Sequence, residues 1–300
     1  MSAAKTKKTV GVVGLGIMGG AFSRNLVKSG WRVVGFDISA AKRKELSRAG
    51  VEIASSAKAV ATAAPIVITS LPKPEALIAT AKEIAAAGLP PRIVAECSTF
   101  TIEDKAKAER ILSKAGHTML DCPVSGTGSQ ARTGDLVIYA SGDRKAIGRI
   151  KPVFAGFSRK TYDVGTFGDG SRMKYVANLL VAINNVASAE AMVMGMKAGL
   201  DPKIVLKMIS NGAGNSRVFE LRAPMMARND YTDVTMKCSV WQKDMDVIGA
   251  FAKKIRVPTP LFSATLPVYA AALKQGHAED DTAAVCSVLE GKARVKRPRR

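Results

Sequence analysis

A short apolar strand followed at once by three spaced glycines constrains this chain most. Residues 9–13 form a valine-rich run typical of a buried parallel strand, and Gly14, Gly16 and Gly19 follow where a helix has to begin. These glycines allow a tight turn, a close approach to the backbone, and close packing of the helix on the strand. The N–H groups and dipole of such a helix start bind an anion. The segment therefore predicts a site for a dinucleotide pyrophosphate, formed by Gly14, Leu15, Gly16, Ile17, Met18 and Gly19.

The next segments supply the context that the glycines need. Residues 21–29 predict a helix, and residues 31–36 predict a second strand that ends on Asp37. An acidic side chain there accepts hydrogen bonds from the ribose hydroxyls and repels a 2′-phosphate, which favours NAD over NADP as cofactor. Lys42 and Arg43 could weaken that preference, with a solvated helix face as the alternative interpretation.

Strand-like and helix-like segments alternate as far as residue 163, and only helical segments follow. Such alternation predicts parallel strands joined by crossover helices, with ligands at the carboxyl ends of the strands. We therefore predict an α/β Rossmann domain with a doubly wound parallel sheet (1–166), then an all-helical substrate and oligomerisation domain (167–290) and a basic tail (291–300). A long helix, 171–198, is expected to join the two domains.

The composition limits the class of protein. The chain has 300 residues, of which 47% are apolar, and a net charge of +20. This is enough for two cores, and the charge suits anionic cofactors and carboxylate substrates. Nucleic acid is expected to bind, if at all, only through the basic tail, with a solvated end as the alternative.

No uninterrupted apolar run reaches the roughly 18 residues of a membrane span, and no signal-peptide core follows the first lysines. We therefore expect a cytoplasmic protein with no membrane segment. The four cysteines form no paired motif, and His117 and His277 have no ligand-spaced partners, so no metal site is expected.

Oxidation of an alcohol by NAD releases a proton that a side chain must accept, and this chain has few histidines. Lys174 is expected on the first turn of the long helix, with Asn178 four residues later on the same face. A desolvated lysine amine can act as base toward an alcohol and as acid toward a carbonyl. An exposed Lys–Asn pair on a helix is the alternative.

Four motifs occur in the order seen in the β-hydroxyacid dehydrogenases, which include 3-hydroxyisobutyrate dehydrogenase and tartronate semialdehyde reductase. They span residues 14–19, 121–126, 168–178 and 243–244, and the resemblance covers residues 9–290. It implies that Lys174 is the catalytic acid/base and that Asn178 places the substrate. The same resemblance implies that the substrate carboxylate is held by Ser125, Gly126 and Thr127, for which a plain turn is the alternative.

The resemblance also implies cofactor contacts outside the glycine turn. Leu71 and Pro72 would line the adenosine side, Thr99 would approach the nicotinamide, and Lys243 would close over cofactor and substrate. The alternatives are an N-cap role for Thr99 and a solvated helix position for Lys243.

The chain departs from the family pattern at two positions. Thr127 stands where the family commonly has a second glycine, and Ala76 stands where some members place a cofactor-contacting asparagine. Residues 213–220, 230–231 and 279–281 look closer to members that act on four-carbon sugar acids such as threonate.

These observations predict an NAD(P)-dependent 3-hydroxyacid dehydrogenase that oxidises a small 3-hydroxy acid to its semialdehyde or keto acid. The alternatives are a semialdehyde reductase of the tartronate semialdehyde or glyoxylate type, and a non-catalytic binding module with the same fold. The family resemblance further implies a homodimer or homotetramer.

Overall fold

The computed structural model describes residues 8–297. The chain divides after Lys174 into two compact units, within a 29-residue helix that runs from Asp169 to Lys197. This division lies further along the chain than the predicted boundary at residue 166. The parts of the predicted first domain and basic tail that fall on residues 1–7 and 298–300 lie outside the described residues.

The first unit is built on a six-stranded sheet in the order β3-β2-β1-β4-β5-β6. Its strands are β1 (Thr9–Val13), β2 (Arg32–Phe36), β3 (Glu52–Ile53), β4 (Ile66–Thr69), β5 (Ile93–Glu96) and β6 (Thr118–Asp121). All neighbouring strands are parallel. This is the doubly wound order of a Rossmann domain and confirms the predicted fold class; its ligand crevice lies where the order reverses, beyond β1 and β4.

Helices and two cores cover both faces of the sheet. The helices are α1 (Ile17–Lys28), α2 (Ala40–Ser47), α3 (Ala57–Ala63), α4 (Pro74–Ala85) and α5 (Ile102–Lys114). In β1, Val10 and Val12 belong to one core and Val13 to the other. Successive side chains of a strand point to opposite faces, so both faces of β1 are buried.

The remaining strands do not extend this sheet. They are β7 (Val124–Ser125), β8 (Val137–Ala140) and β9 (Lys160–Asp163), with α6 (Gly128–Thr133) and α7 (Arg144–Phe154) between them. They form a separate sheet in the order β7-β8-β9, in which β7 and β8 are antiparallel. The connection that contains the six-residue α6 is too short for a crossover helix that would keep these two strands parallel.

The second unit is helical, as predicted. The long helix α8 (Asp169–Lys197) enters it, and the helices that follow are α9 (Pro202–Ser210), α10 (Arg217–Arg228), α11 (Cys238–Lys254), α12 (Pro260–Lys274) and α13 (Val285–Ala293). A 3-10 turn, Thr282–Ala284, precedes α13. The last helix thus continues past residue 290, where the basic tail was expected to begin.

Arg297, in the predicted basic tail, is bound within the second unit. Its guanidinium pairs with Glu290 and donates to the carbonyls of Met226 and Ala227 at 2.6 and 3.0 Å. Those carbonyls lie in the last turn of α10, where intrahelical donors are few, and Met226 also accepts from Asn229 N–H at 3.3 Å. Arg297 therefore caps α10.

Among residues 8–297, α8 alone is long and apolar enough to pass a length-and-composition test for a membrane span. Of its most apolar 18-residue window, 44% is buried inside the protein. Core helices of globular proteins have the same length and apolar composition.

Candidate active site

The glycine turn between β1 and α1 is shaped by close backbone contacts. Gly14 has a φ of +90°, and a Cβ there would lie 2.1 Å from the carbonyl oxygen of Ser70. A Cβ on Gly19 would lie 1.9 Å from the carbonyl oxygen of Gly14. A Cβ on Gly16, in contrast, would meet nothing within 4 Å. Gly14 and Gly19 therefore let the turn close, while Gly16 leaves an open approach to the helix start, as a pyrophosphate requires.

The three residues between these glycines differ in exposure. Leu15 is buried in the core at 1% exposure, Met18 packs partly against the same core, and Ile17 is 52% exposed. Within the turn, Ile17 and the adjacent Gly16 are the exposed residues. The side chain of Leu15 thus stabilises the turn by packing in the core.

Asp37, at the end of β2, is fixed by two backbone donors. Leu15 N–H donates to Oδ2 at 2.7 Å and Ser39 N–H donates to Oδ1 at 2.8 Å. The carboxylate is only half-buried, and each of its oxygens retains acceptor capacity for a ribose hydroxyl. The fixed negative charge beside the glycine turn suits NAD.

The two cations that follow have different surroundings. Arg43 donates to the carbonyl oxygens of Asp37 and Ile38 at 2.6 and 3.1 Å, which holds its guanidinium at the end of β2. Lys42 pairs instead with Glu45 at 3.0 Å on the helix surface. Arg43 is therefore the cation held beside the expected ribose position.

The loops after β4 and β5 meet beside the glycine turn. Ser70 N–H donates to the carbonyl of Val13 at 2.9 Å, and Leu71 N–H donates to Ser98 Oγ at 2.8 Å. Leu71 also lies next to Gly14, where a Cβ would be 3.2 Å from the leucine side chain. The structure thus brings Leu71 and the exposed Pro72 to the edge that carries the turn.

Thr99 lies in the loop after β5 and is half-buried. The N-cap of α5 is Thr101, whose hydroxyl accepts from Asp104 N–H at 3.1 Å. The alternative interpretation of Thr99 as this N-cap is therefore wrong, and its predicted place near the nicotinamide stays a prediction. Together with the turn, Asp37 and Leu71, these loops provide a set of groups that fits NAD.

Ser125, Gly126 and Thr127 form the turn between β7 and α6. Gly126 has a φ of +137°, and a Cβ there would lie 2.5 Å from Leu136. Thr127 is the N-cap of α6, with a capping box in which its N–H donates to Gln130 Oε1 at 3.0 Å. The backbone N–H of Thr127 is thus already used within the turn, while Ser125 is half-buried at the end of its strand.

Lys174 lies near the start of α8 and is 8% exposed. Asn178 lies one turn further along the same helix and is 4% exposed. Both predicted polar groups are therefore buried, which excludes the alternative of an exposed Lys–Asn pair. Buried polar groups need partners, and their burial is typical of sites with a chemical role.

Asn178 and Lys243 are brought together by a residue to which sequence reasoning gave no role. Asn178 Nδ2 donates to Asp244 Oδ2 at 2.9 Å, and Lys243 Nζ lies 3.5 Å from Asp244 Oδ1. Asp244 is 5% exposed. Asp244 follows Lys243 directly in the 243–244 motif, and this position is the signal that could have identified its role. The carboxylate fixes the amide orientation of Asn178.

The cysteines are unsuited to thiolate chemistry. All four are free and buried, and burial raises the pKa of Cys97 and Cys122, and that of Cys238 and Cys286 to about 12. Thiols with such pKa values stay protonated at neutral pH. His117, whose pKa burial lowers, accepts from Arg92 N–H at 3.2 Å in a structural contact. The cysteines and His117 therefore do not replace Lys174 as the candidate proton carrier.

Two family models match the chain one after the other. Residues 9–165 match a model described as the NAD binding domain of 6-phosphogluconate dehydrogenase. Residues 168–289 match a model described as the NAD-binding of NADP-dependent 3-hydroxyisobutyrate dehydrogenase. The matches together span nearly all of the described residues.

Similar proteins are named for related reactions. L-threonate dehydrogenase of Cupriavidus necator is 30% identical over 95% of this chain and 97% of its own length. NAD-dependent L-serine dehydrogenase of Pseudomonas aeruginosa is 31% identical over 94% of this chain and 98% of its own length. The crystal structure of 3-hydroxyisobutyrate dehydrogenase from Salmonella typhimurium has a TM-score of 0.85 at 28% identity, covering 94% of this chain and all of that one. All three names describe dehydrogenases of acids that carry a hydroxyl group.

Proposed function

This chain belongs to the β-hydroxyacid dehydrogenase family, and from that premise we propose that it oxidises a small 3-hydroxy acid at the carbon bearing the hydroxyl. It is an NAD-dependent dehydrogenase, and its substrate is a hydroxy acid of the 3-hydroxyisobutyrate type or a four-carbon sugar acid. The relatives named for L-threonate support the latter. The observation that carries the proposal is the burial of Lys174 in the unit that also holds the glycine turn and Asp37.

The reaction divides between the cofactor and the side chains. When bound, NAD accepts the hydride that leaves the substrate carbon. Lys174 Nζ takes the proton from the hydroxyl oxygen as the carbonyl forms, so that two electrons and two hydrogens leave the substrate. The family resemblance implies that Ser125, Gly126 and Thr127 would bind the carboxylate. It also implies that Asn178, whose amide donates to Asp244, would orient the hydroxyl. As the family resemblance implies, Lys243 would close over the cofactor and the substrate.

The test is turnover by the purified protein. NAD and a panel of short hydroxy acids, including L-threonate, L-serine and 3-hydroxyisobutyrate, should produce the absorbance of reduced nicotinamide. Lys174→Ala should lower kcat by at least about 100-fold, because general acid–base catalysis contributes that much. The affinity for NAD, followed by fluorescence titration, should stay unchanged.

Equal rates for the wild-type protein and the Lys174→Ala variant would remove the lysine from the mechanism. A control variant, Lys253→Ala, changes an exposed lysine at the end of α11 and should keep full activity. The reverse assay, with semialdehydes and reduced cofactor, tests the reductase alternative. A much higher kcat/KM in that direction would assign the protein as a reductase.

An apolar stripe on α8 supports a homodimer or homotetramer. In the second unit, Val176, Leu180 and Met194 are 53%, 54% and 73% exposed, and Ala187 between them is also exposed. The spacings of four, seven and seven residues place these side chains on one face of the helix, the α8 stripe, in the pattern of helices that pack on one another. We propose that a second copy of the chain covers the α8 stripe. We also propose that the enzyme is cytoplasmic, as predicted from the sequence.

A further inference from the structure

A buried ionic cluster lies at the carboxyl ends of β5 and β6. Glu96 and Asp121 are paired residues of the two strands, and Lys105 reaches them from α5. Lys105 Nζ lies 2.7 Å from Glu96 Oε2 and 2.7 Å from Asp121 Oδ1. All three residues have 0% exposure. We call these three residues the ionic cluster.

The ionic cluster requires further hydrogen-bond donors. One ammonium faces two carboxyl groups, and burial of charge is unfavourable unless the remaining lone pairs are satisfied. Burial raises the pKa of Glu96 in spite of the attraction of Lys105. The additional donors come from two segments outside the cluster, one at each end.

At one end, Asp121 binds the start of α8. Ser171 N–H donates to Asp121 Oδ2 at 2.7 Å, and Ser171 Oγ donates to Oδ1 at 2.9 Å. Ser141 Oγ donates to the carbonyl oxygen of Asp121 at 3.1 Å and accepts from Gly170 N–H at 2.9 Å. A carboxylate at a helix N-terminus satisfies its unpaired N–H groups and complements its dipole. We call Asp121, Ser141, Gly170 and Ser171 the helix anchor.

Gly170 gives independent support for this close approach. A Cβ on Gly170 would lie 2.5 Å from the carbonyl oxygen of Tyr139 and 2.7 Å from that of Asp121. Both atoms belong to backbone, which cannot move aside as a side chain can. The helix start therefore reaches its position only because residue 170 has no side chain.

At the other end, Glu96 binds the loop of the expected cofactor site. Ser98 N–H donates to Glu96 Oε1 at 2.8 Å, and Ser98 Oγ accepts from Leu71 N–H at 2.8 Å. One continuous series of polar contacts therefore runs from Leu71, through the ionic cluster, to Ser171. Lys174 lies three residues after Ser171, on the next turn of α8.

We propose that Asp121, supported by Lys105 and Glu96, is a positioning residue that holds the start of α8, and with it Lys174, in a fixed relation to the loops of Leu71 and Thr99. The proposal rests on the proposed function, since it assigns a role in the reaction of Lys174. Asp121 acts through Ser171 and does not contact the substrate. Proton transfer needs its donor and acceptor within hydrogen-bond reach, so a small shift of the helix start lowers the rate.

The first test is Ser171→Ala, which removes one anchoring hydrogen bond and leaves the ionic cluster intact. We expect kcat to fall between about tenfold and 100-fold, as for small misplacements of a catalytic group. The KM for NAD and the NAD dissociation constant should stay within about twofold. Ser171→Thr, which keeps the hydroxyl, should retain most of the rate. The matched control is Ser188→Ala, a buried serine on α8 whose hydroxyl donates to the carbonyl of Asn184 within the same helix.

The second test is Gly170→Ala, which moves the helix start without changing any polar group. It should give the same selective loss of kcat. Its control is Gly148→Ala in α7, where a Cβ would meet nothing within 4 Å. Full kcat in both Ser171→Ala and Gly170→Ala would overturn the proposal. So would a fall in kcat matched by equal losses of NAD affinity and thermal stability, which would indicate a purely structural role.

Hydrogen–deuterium exchange separates this proposal from the proposed function. The backbone amides of residues 170–174 should exchange faster in Ser171→Ala than in wild type, with the amides of α1 unchanged. Unchanged exchange at 170–174 would overturn the helix anchor whatever the activity. If the wild-type protein turned over no hydroxy acid while the exchange result held, the proposed function and the positioning role would both fail and the anchor would be structural.

Discussion

At the scale of single residues, Asp37 illustrates how one carboxylate serves the fold and the site together. It closes the glycine turn through Leu15 N–H and the loop after β2 through Ser39 N–H. Asp37 follows β2 and Gly16 follows β1, so both lie at the carboxyl edge of the parallel sheet. We therefore expect the rejection of a 2′-phosphate to depend on a residue that also shapes the turn.

We predict that Asp37→Ser lowers kcat/KM for NAD by about tenfold, which corresponds to about 1.4 kcal/mol. Activity with NADP should rise, because Arg43 remains at the end of β2 to bind the phosphate once the carboxylate is gone. Initial rates with both cofactors measure the effect. Glu52→Gln, which changes an exposed carboxylate on β3, serves as control, and an unchanged cofactor ratio in Asp37→Ser would contradict the assignment.

At the scale of elements, Asp281 joins three parts of the second unit. It pairs with Arg222 of α10 at 3.4 Å, accepts from Thr235 N–H and Met236 N–H at 2.8 and 3.0 Å, and caps the 3-10 turn at Ala283. Asp281 is 0% exposed and Arg222 is 3% exposed. The loop before α11, helix α10 and the turn before α13 are therefore held through one carboxylate.

We predict that Asp281→Asn destabilises the second unit by about 3–5 kcal/mol, because it leaves the buried charge of Arg222 without its counter-ion. The lost unfolding free energy is measured by urea unfolding in a Trp31→Phe background, in which Trp241 alone supplies the tryptophan fluorescence. Asp246→Asn is the control, since Asp246 accepts an exposed hydrogen bond from Gln242 on the helix surface. Equal midpoints for the two variants would show that the carboxylate is not required.

The same carboxylate predicts a pH dependence. Burial by itself raises the pKa of Asp281, but Arg222 and the backbone donors outweigh it, so the pKa lies below its usual value. An unfolded aspartate titrates near pH 4, so this contribution is complete above that pH and is lost as the pH falls through the lower pKa of the folded state. The unfolding free energy of wild type should therefore fall below about pH 4, and more steeply than that of Asp281→Asn. If the unfolding free energies of wild type and Asp281→Asn fell in parallel with pH, the assigned role of the Asp281 carboxylate would be contradicted.

How far the sequence predicts these features depends on the range of the interactions. The parallel sheet and the helix Arg217–Arg228 follow from local patterns, because apolar periodicity and capping residues lie within each segment. Helix α6 was not predicted, because six residues are too few to show an apolar periodicity. Thr127 and Gln130 nevertheless carry a capping-box signal. The ionic cluster escaped because its members belong to separate elements, and only the folded sheet places β5 beside β6.

In the candidate site, too, local features could be predicted from the sequence and contacts between distant segments could not. The glycine turn, Asp37 and the lysine of α8 could be selected from short motifs, whose spacing reflects local geometry. The role of Asp244 depends on contact with Asn178, 66 residues away, and no local pattern reports such a contact. The observed N-cap of α5, Thr101, lies two residues after the alternative prediction, Thr99. Helix starts assigned from sequence commonly differ from the structure by that much.

At the scale of the whole molecule, the proposed assembly depends on the α8 stripe. Leu180→Glu should convert the oligomer into smaller species, because a carboxylate at the centre of an apolar helix contact is buried without a partner. Light scattering coupled to size-exclusion chromatography measures the mass. Lys253→Glu introduces the same side chain at an exposed position of α11 and should leave the mass unchanged. An unaltered mass for Leu180→Glu would show that the stripe is not the interface.

The absence of any loop where the two units divide has a practical consequence for protein engineering. Helix α8 passes from one unit to the other as an uninterrupted hydrogen-bonded ladder. Cutting the gene between codons 174 and 175 would leave carbonyl groups at the new C-terminal end and N–H groups at the new N-terminal end without partners. Split fragments or chimaeras made with a relative should therefore be joined in the segment 164–168, so that α8 is inherited whole.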